Sequence, residues 1–161
     1  MSTLPERSYP DLRDDQMIAI GIYGENIAAY RYTVLAERVP GEEDRRAFSE
    51  IAKEEQEHKE RLQALFDKHY PGSSFYLSDE DKALVLTGPR LIDVRDLEDY
   101  RDVMQLALNT ELRTAEYYQV MSTRAKIDEV REVFAELAEE GFEHHQQLLE
   151  LARQRGFLPA D

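Results

Sequence analysis

The chain has 161 residues, with 34 Asp and Glu against 20 Lys and Arg, a formal net charge of −14, and neither Cys nor Trp. One domain is the default at this length, and the lack of Cys excludes a thiol nucleophile, a thiolate-held iron–sulfur cluster and Cys-ligated zinc, leaving oxygen and imidazole as metal donors. An acidic balance without a basic stripe excludes the electrostatics of nucleic-acid binding and makes cations the natural partners.

Residues 1–15 read as a polar N-terminal arm carrying Pro5 and Pro10, with no apolar stretch of signal-peptide length. No later run reaches membrane-span length, so a cytoplasmic protein is expected. From Gln16 to Arg38, Ile18, Ile22, Ala29 and Tyr32 recur at helical spacing up to the Val39-Pro40-Gly41 breaker. A second helix is predicted from Glu42 to about His69, with Phe48, Ile51, Ala52, Leu62, Leu65 and Phe66 on one face and Pro71-Gly72 behind it. The period then lapses to about Asp96, punctuated by Gly72, Ser73, Ser74, Gly88 and Pro89, with one short helix capped by Ser78. Helices of ~26 residues are about 39 Å long, and a connection of this length carries the chain back to the far end. A third long helix is predicted from about Arg95 to Arg124 and a fourth from about Asp128 to Arg155, leaving residues 156–161 as a tail. The expectation is an all-α four-helix bundle over residues 16–155, two antiparallel hairpins joined by a long crossover.

The two hairpins repeat one another. A shift of 86 positions, without a gap, superposes Glu25 on Glu111, Ala29 on Ala115, Tyr32 on Tyr118, Phe48 on Phe134, His58 on His144 and Leu62 on Leu148. A constant offset that matches Tyr, Phe and His as well as Glu points to quasi-equivalent halves.

Glu25 has Ile18, Gly21, Ile22, Ala28, Ala29 and Tyr32 as helical neighbours, and Glu111 has Met104, Ala107, Leu108, Thr114, Ala115 and Tyr118. Inward carboxylates with no cation on their own helix need compensation, and a metal ion supplies it economically. Glu55 and His58, at E-x-x-H spacing, share the apolar face of the second helix, and His144 occupies the same stripe of the fourth. A Glu from each of two helices and a Glu-x-x-His from each of the others is the ligand set by which four-helix bundles hold paired iron or manganese ions. Against these readings stand an ordinary Glu55–Lys59 surface pair, packed histidines at His58 and His144, and tyrosines that merely fill the core. His69 and His145 read as structural, and the acid runs at Glu54–Glu57 and Glu139–Glu140 as solvated faces apart from the residues named.

Glu25-x6-Tyr32, Glu55-x2-His58, Glu111-x6-Tyr118 and His144, within the strings IAKEEQEHKERL and ELAEEGFEHHQQLLEL, resemble the di-iron domain of rubrerythrins in the ferritin-like superfamily. The resemblance spans roughly residues 16–155. It implies a ferritin-like four-helix bundle with a carboxylate-bridged pair of iron ions, manganese or zinc being alternatives in either site. It also implies that Tyr32 and Tyr118 hydrogen-bond ligand carboxylates. Oxidoreductase activity toward peroxide, O₂ or Fe²⁺ would follow, of the kind used against oxidative stress, with an external electron donor because a chain without Cys carries no rubredoxin-like domain.

Three departures qualify the match. Gly141 stands where a second bridging carboxylate is expected, and Glu140 could replace it through a one-residue π-bulge, with Glu143 a weaker substitute. Thr114 occupies the position of the extra Glu of peroxidatic relatives, which puts their carboxylate switching in doubt. The Cys-less chain lacks its own electron-transfer domain. The alternative to an enzyme is therefore a non-catalytic metal-binding or iron-handling protein, and a helical interaction module without metal is the third reading. The resemblance suggests a homodimer, for which Phe75, Tyr76, Leu77, Leu84, Val85 and Leu86 of the crossover offer apolar contacts.

Overall fold

A computed structural model describes residues 8–86 and 97–159. Four long helices dominate it: α1 (Asp14–Arg38), α2 (Glu42–His69), α4 (Leu97–Arg124) and α5 (Asp128–Gln154), with a five-residue α3 (Asp79–Ala83) in the crossover. The expected start of the third long helix near Arg95 and the Gly88-Pro89 break lie outside the described residues. Helix starts follow the local chemistry. The Gln16 side chain accepts the Arg13 N–H at 2.9 Å ahead of α1, and Ser78 and Asp81 exchange side-chain-to-backbone hydrogen bonds at α3. Just beyond α5 stands Gly156, whose φ of +74° a side chain would disfavour, and the Phe157 N–H closes the turn on the Ala152 carbonyl at 2.9 Å.

α1 packs closely along α2 and α4 along α5, whereas backbones of different hairpins approach less closely. Large side chains fill the space between hairpins, and they sort into two apolar clusters at opposite ends. One gathers Met17, Ile18, Leu62, Leu65, Tyr117, Tyr118, Met121 and Phe134, and the other Leu35, Phe48, Ile51, Tyr100, Met104, Leu108 and Leu148. α1 runs from the first cluster to the second, α2 back, α4 from the second to the first, and α5 back again. Only a connection spanning the length of the bundle can link the end of α2 to the start of α4 in this order. The result is two antiparallel hairpins joined by a long crossover, as the spacing of breakers predicts.

Two buried acids tie the ends. Asp14 at the start of α1 accepts the Lys126 N–H at 3.0 Å and the Ile127 N–H at 2.8 Å, satisfying donors just ahead of α5. Asp44 near the start of α2 accepts the Tyr100 hydroxyl at 2.6 Å and Arg155 Nε at 2.9 Å, joining α2 to α4 and to the end of α5. In the crossover, Leu84 and Val85 are buried in the first cluster, with Val85 against Gly24 of α1. The expectation that these two residues supply a dimer contact is thereby corrected: packing within the chain already uses them. Among the described crossover residues, Tyr76 is the large apolar side chain that stands out in solvent, at 89% exposure.

Candidate metal centre

Between the two apolar clusters lies a polar layer to which every long helix contributes. α1 supplies Glu25, α2 Glu55 and His58, α4 Glu111, and α5 His144, all buried. Ligand atoms of Glu25, Glu55 and His58 lie within 4.8 Å of one another, as do those of Glu55, Glu111 and His144. Glu55 belongs to both groups. The Nδ1 atoms face inward: that of His58 is 3.6 Å from Glu25 Oε2 and 3.9 Å from Glu55 Oε2, and that of His144 is 2.8 Å from Glu55 Oε1 and 3.9 Å from Glu111 Oε2. The two imidazoles stack with centroids 5.9 Å apart.

Pseudo-twofold pairs surround this layer. The Tyr32 hydroxyl of α1 donates to Glu111 Oε1 of α4 at 2.7 Å, and the Tyr118 hydroxyl of α4 donates to Glu25 Oε1 of α1 at 2.8 Å. Outward, His144 Nε2 is hydrogen-bonded to Glu54, and His58 Nε2 lies 2.7 Å from Glu140 Oε2. Glu54 and Glu140 are themselves related by the repeat offset. Each stands four residues before the histidine of its own hairpin and reaches the histidine of the other.

Glu140 thus sits outside both ligand groups. α5 is uninterrupted α-helix, so the bulge that would turn this carboxylate inward is absent from it. Its expected substitution for a ligand at 141 is corrected to a contact with the outer nitrogen of His58. Glu54 is exposed, as expected of a solvated face, and in addition meets His144. The signal for it was the repeat itself, since an acid four residues before each histidine recurs at the same offset. Lys59 bonds Asn26 Oδ1 at 3.0 Å, so the surface-pair reading of Glu55 has lost its partner. His69 pairs with Glu129 at 2.8 Å, His145 is half-buried away from both groups, and Thr114 faces the Val85 carbonyl.

Gly141 has a steric explanation. A Cβ built there would stand 3.0 Å from the Cβ and 3.4 Å from the Cα of Ala115. A side chain at 141 would require α4 and α5 to give by a few tenths of an ångström, whereas α1 and α2 accommodate Glu55.

Burial raises the Glu55 carboxyl well above its usual range, and the charges of Glu25 and Glu111 raise it further. Glu111 is also raised by burial, against the opposing pull of His144 and Tyr32. Burial pushes Glu25 up too, but the close approach of Glu55 and His58 and the hydrogen bond from Tyr118 outweigh it and hold Glu25 below the usual value. The His58 imidazole resists charging on account of burial, yet Glu25 and Glu140 raise it. One carboxylate crowded by two others in a dry layer is an arrangement that asks for positive charge.

Two atoms record that demand. Glu25 Oε2 and His144 Nδ1 are buried without a hydrogen-bond partner, and His144 Nδ1 stays unsatisfied because its short approach to Glu55 lacks hydrogen-bond geometry. Donors aimed past one another at shared space, all oxygen and imidazole, fit hard or borderline divalent cations.

The chain was compared with known proteins. No curated protein matches it in sequence. A hypothetical protein from Pyrococcus furiosus shares its fold, at 23% identity and a TM-score of 0.78 over 90% of this chain and 91% of that one. The rubrerythrin family profile matches residues 16–101 and 102–157, nearly the whole bundle. With the doubled ligand pattern and the two-hairpin architecture, this places the chain in the rubrerythrin family.

Proposed function

We propose that this protein holds two iron ions in the mid-bundle layer and uses them as an oxidoreductase toward peroxide, O₂ or Fe²⁺, drawing electrons from an external donor. The observation that carries the reading is the sharing of Glu55 by two Glu/His groups whose buried atoms Glu25 Oε2 and His144 Nδ1 lack a hydrogen-bond partner. Glu25 and His58 would hold one ion, Glu111 and His144 the other, with Glu55 between them. Bound iron would supply the electrons that O₂ or peroxide needs for reduction.

The protein's own contribution is positioning. Tyr32 and Tyr118 each fix a terminal carboxylate by donating to one oxygen, which leaves the other free for an ion. Glu54 bonds the outer nitrogen of His144, where a carboxylate favours a proton on Nε2 and so frees the Nδ1 lone pair toward the centre, and Glu140 stands beside the outer nitrogen of His58. The apolar clusters above and below keep bulk water from the layer. Three carboxylates against the four charges of two divalent ions leave a net positive centre, which favours anionic oxygen species.

A second reading, non-catalytic iron handling, draws on Gly141, which packs against Ala115 and brings no second bridging carboxylate to the centre. Turnover of peroxide or Fe²⁺ by the iron-loaded protein separates the two. For the metal site itself, elemental analysis of purified protein is expected to give two iron equivalents per chain. The double replacement of Glu25 and Glu111 by Ala is expected to abolish uptake while leaving a folded helical bundle. Undiminished metal in that variant would refute the site.

A further inference from the structure

The repeat provides an internal control for aromatic residues, and one tyrosine fails to obey it. Tyr118, which bonds Glu25, has its counterpart in Tyr32, which bonds Glu111. Tyr117 has Arg31 as its counterpart. On the Tyr32 side the aromatic line is broken: its ring neighbour is Phe48 at 6.0 Å, a side chain that is not readily oxidised, and only beyond it comes Tyr100 at 6.3 Å. On the Tyr118 side the line is unbroken tyrosine. Rings of Tyr118 and Tyr117 have centroids 5.5 Å apart, and Tyr117 and Tyr9 are 6.5 Å apart. Tyr117 and Tyr118 are fully buried, and Tyr9 is half-buried at the edge of the bundle.

We propose that Tyr118, Tyr117 and Tyr9 form a one-electron relay that connects the metal centre to the surface and draws an electron from Tyr9 when the centre is short of one. The relay rests on the proposed iron-binding reading. Reducing a peroxide to two waters takes two electrons and two protons. When the centre supplies one electron, the second passes from the Tyr9 ring through Tyr117 and Tyr118. The Tyr9 phenol gives its proton to solvent and is left as a neutral tyrosyl radical, which an external one-electron reductant of the thiol or ascorbate class restores.

Proton acceptors decide where the oxidising equivalent rests. The Tyr118 hydroxyl has a carboxylate acceptor in Glu25, and Tyr9 has access to water. The Tyr117 hydroxyl donates to the Met17 backbone carbonyl at 2.8 Å, which can accept a hydrogen bond but cannot keep a proton. Tyr117 is therefore a stepping stone, and Tyr9 is where a radical can settle and be repaired. Such a route would lead an oxidising equivalent away from Glu25, Glu55 and the histidines.

The test loads the protein with Fe²⁺, adds hydrogen peroxide in the presence of a nitroso spin trap, and maps tyrosine adducts by peptide mass spectrometry. Metal content and the optical spectrum are recorded on the same sample. Tyr9 is expected to carry the adduct in preference to Tyr76, the most exposed of the described tyrosines, and metal-free protein is expected to carry none. Tyr117→Phe keeps the ring packing but raises the barrier of the middle hop, so the adduct at Tyr9 is expected to fall about tenfold or more. Adduct on Tyr76 equal to that on Tyr9, or an unchanged Tyr9 yield in Tyr117→Phe, would overturn the relay. Iron that is bound and oxidised without any Tyr9 adduct would overturn it while leaving the metal reading intact. Failure to bind iron would remove both.

Discussion

Glu55 is the residue on which the centre turns. Its carboxyl is raised first by burial and then by Glu25 and Glu111, so in the metal-free protein it binds its proton more tightly than the unfolded chain does. A raised acid stabilises the fold below its unfolded value of 4.5 and loses that contribution as pH climbs toward its folded value. His58, also raised, contributes stability below its unfolded value of 6.5 and loses it above. Glu25, held low, works oppositely, and its contribution is lost only on acidification. Metal-free protein is therefore expected to melt at lower temperature at pH 8 than at pH 6. Glu55→Gln, which cannot ionise, should flatten that slope and raise the pH 8 melting temperature. Thermal melts in chelator check both. Adding metal to the wild type should reverse the loss, because an ion that binds only the folded state at ~1,000 times its Kd adds about 4 kcal/mol per site.

Among the elements, the two hairpins differ at one level. α1 and α2 accommodate Glu55, whereas α4 and α5 close on Gly141 against Ala115. Replacing Gly141 by Ala would normally favour a helix by up to ~1 kcal/mol, but the overpacking it causes costs about 1–3 kcal/mol. Gly141→Ala is expected to destabilise, with Ala115→Gly restoring much of the loss in the double variant. Gly141→Glu should be worse and should not add a metal ligand, since its Cβ meets the same wall. Urea unfolding of the single and double variants measures the coupling. Just ahead of the start of α5, Asp14 accepts two backbone N–H groups from the α4–α5 turn, and Asp14→Ala is expected to cost about 1–2 kcal/mol in the same assay.

At the scale of the molecule, the hairpins need ties besides the centre, and Asp44 supplies one by holding Tyr100 and Arg155 from the second hairpin. Burial alone would raise this carboxyl, but the hydrogen bonds from Arg155 and Tyr100 outweigh it and hold it below its usual value. A depressed acid contributes stability above its unfolded value of 3.8, and the contribution is lost as pH falls through the folded one. Arg155→Ala leaves a buried carboxylate with the Tyr100 hydroxyl alone. Its expected cost at pH 7 is about 2 kcal/mol, less than for a wholly buried pair because the guanidinium is partly in solvent. The gap between variant and wild type should narrow on acidification below pH 3.8. Among the described residues no helix is long and apolar enough to cross a membrane, and the net charge of −14 favours the approach of cations.

Helical period, Pro-Gly breakers and the 86-residue repeat determined on their own the four long helices, the two hairpins and the crossover, because each is a local or one-dimensional pattern. They also singled out Glu25, Glu55, His58, Glu111 and His144, since an acid or imidazole on an apolar stripe is visible from its own helix. What they could not decide was which hairpin a side chain serves. Glu54 and Glu140 reach across to the other half's histidine, Asp14 and Asp44 satisfy donors on remote elements, and Leu84 and Val85 are spent on the chain's own core. Gly141 looked like a missing ligand until the distance to Ala115 made it a contact surface. Such relations depend on the spacing and rotation of helices packed side by side, a property of three-dimensional packing that no single helix encodes.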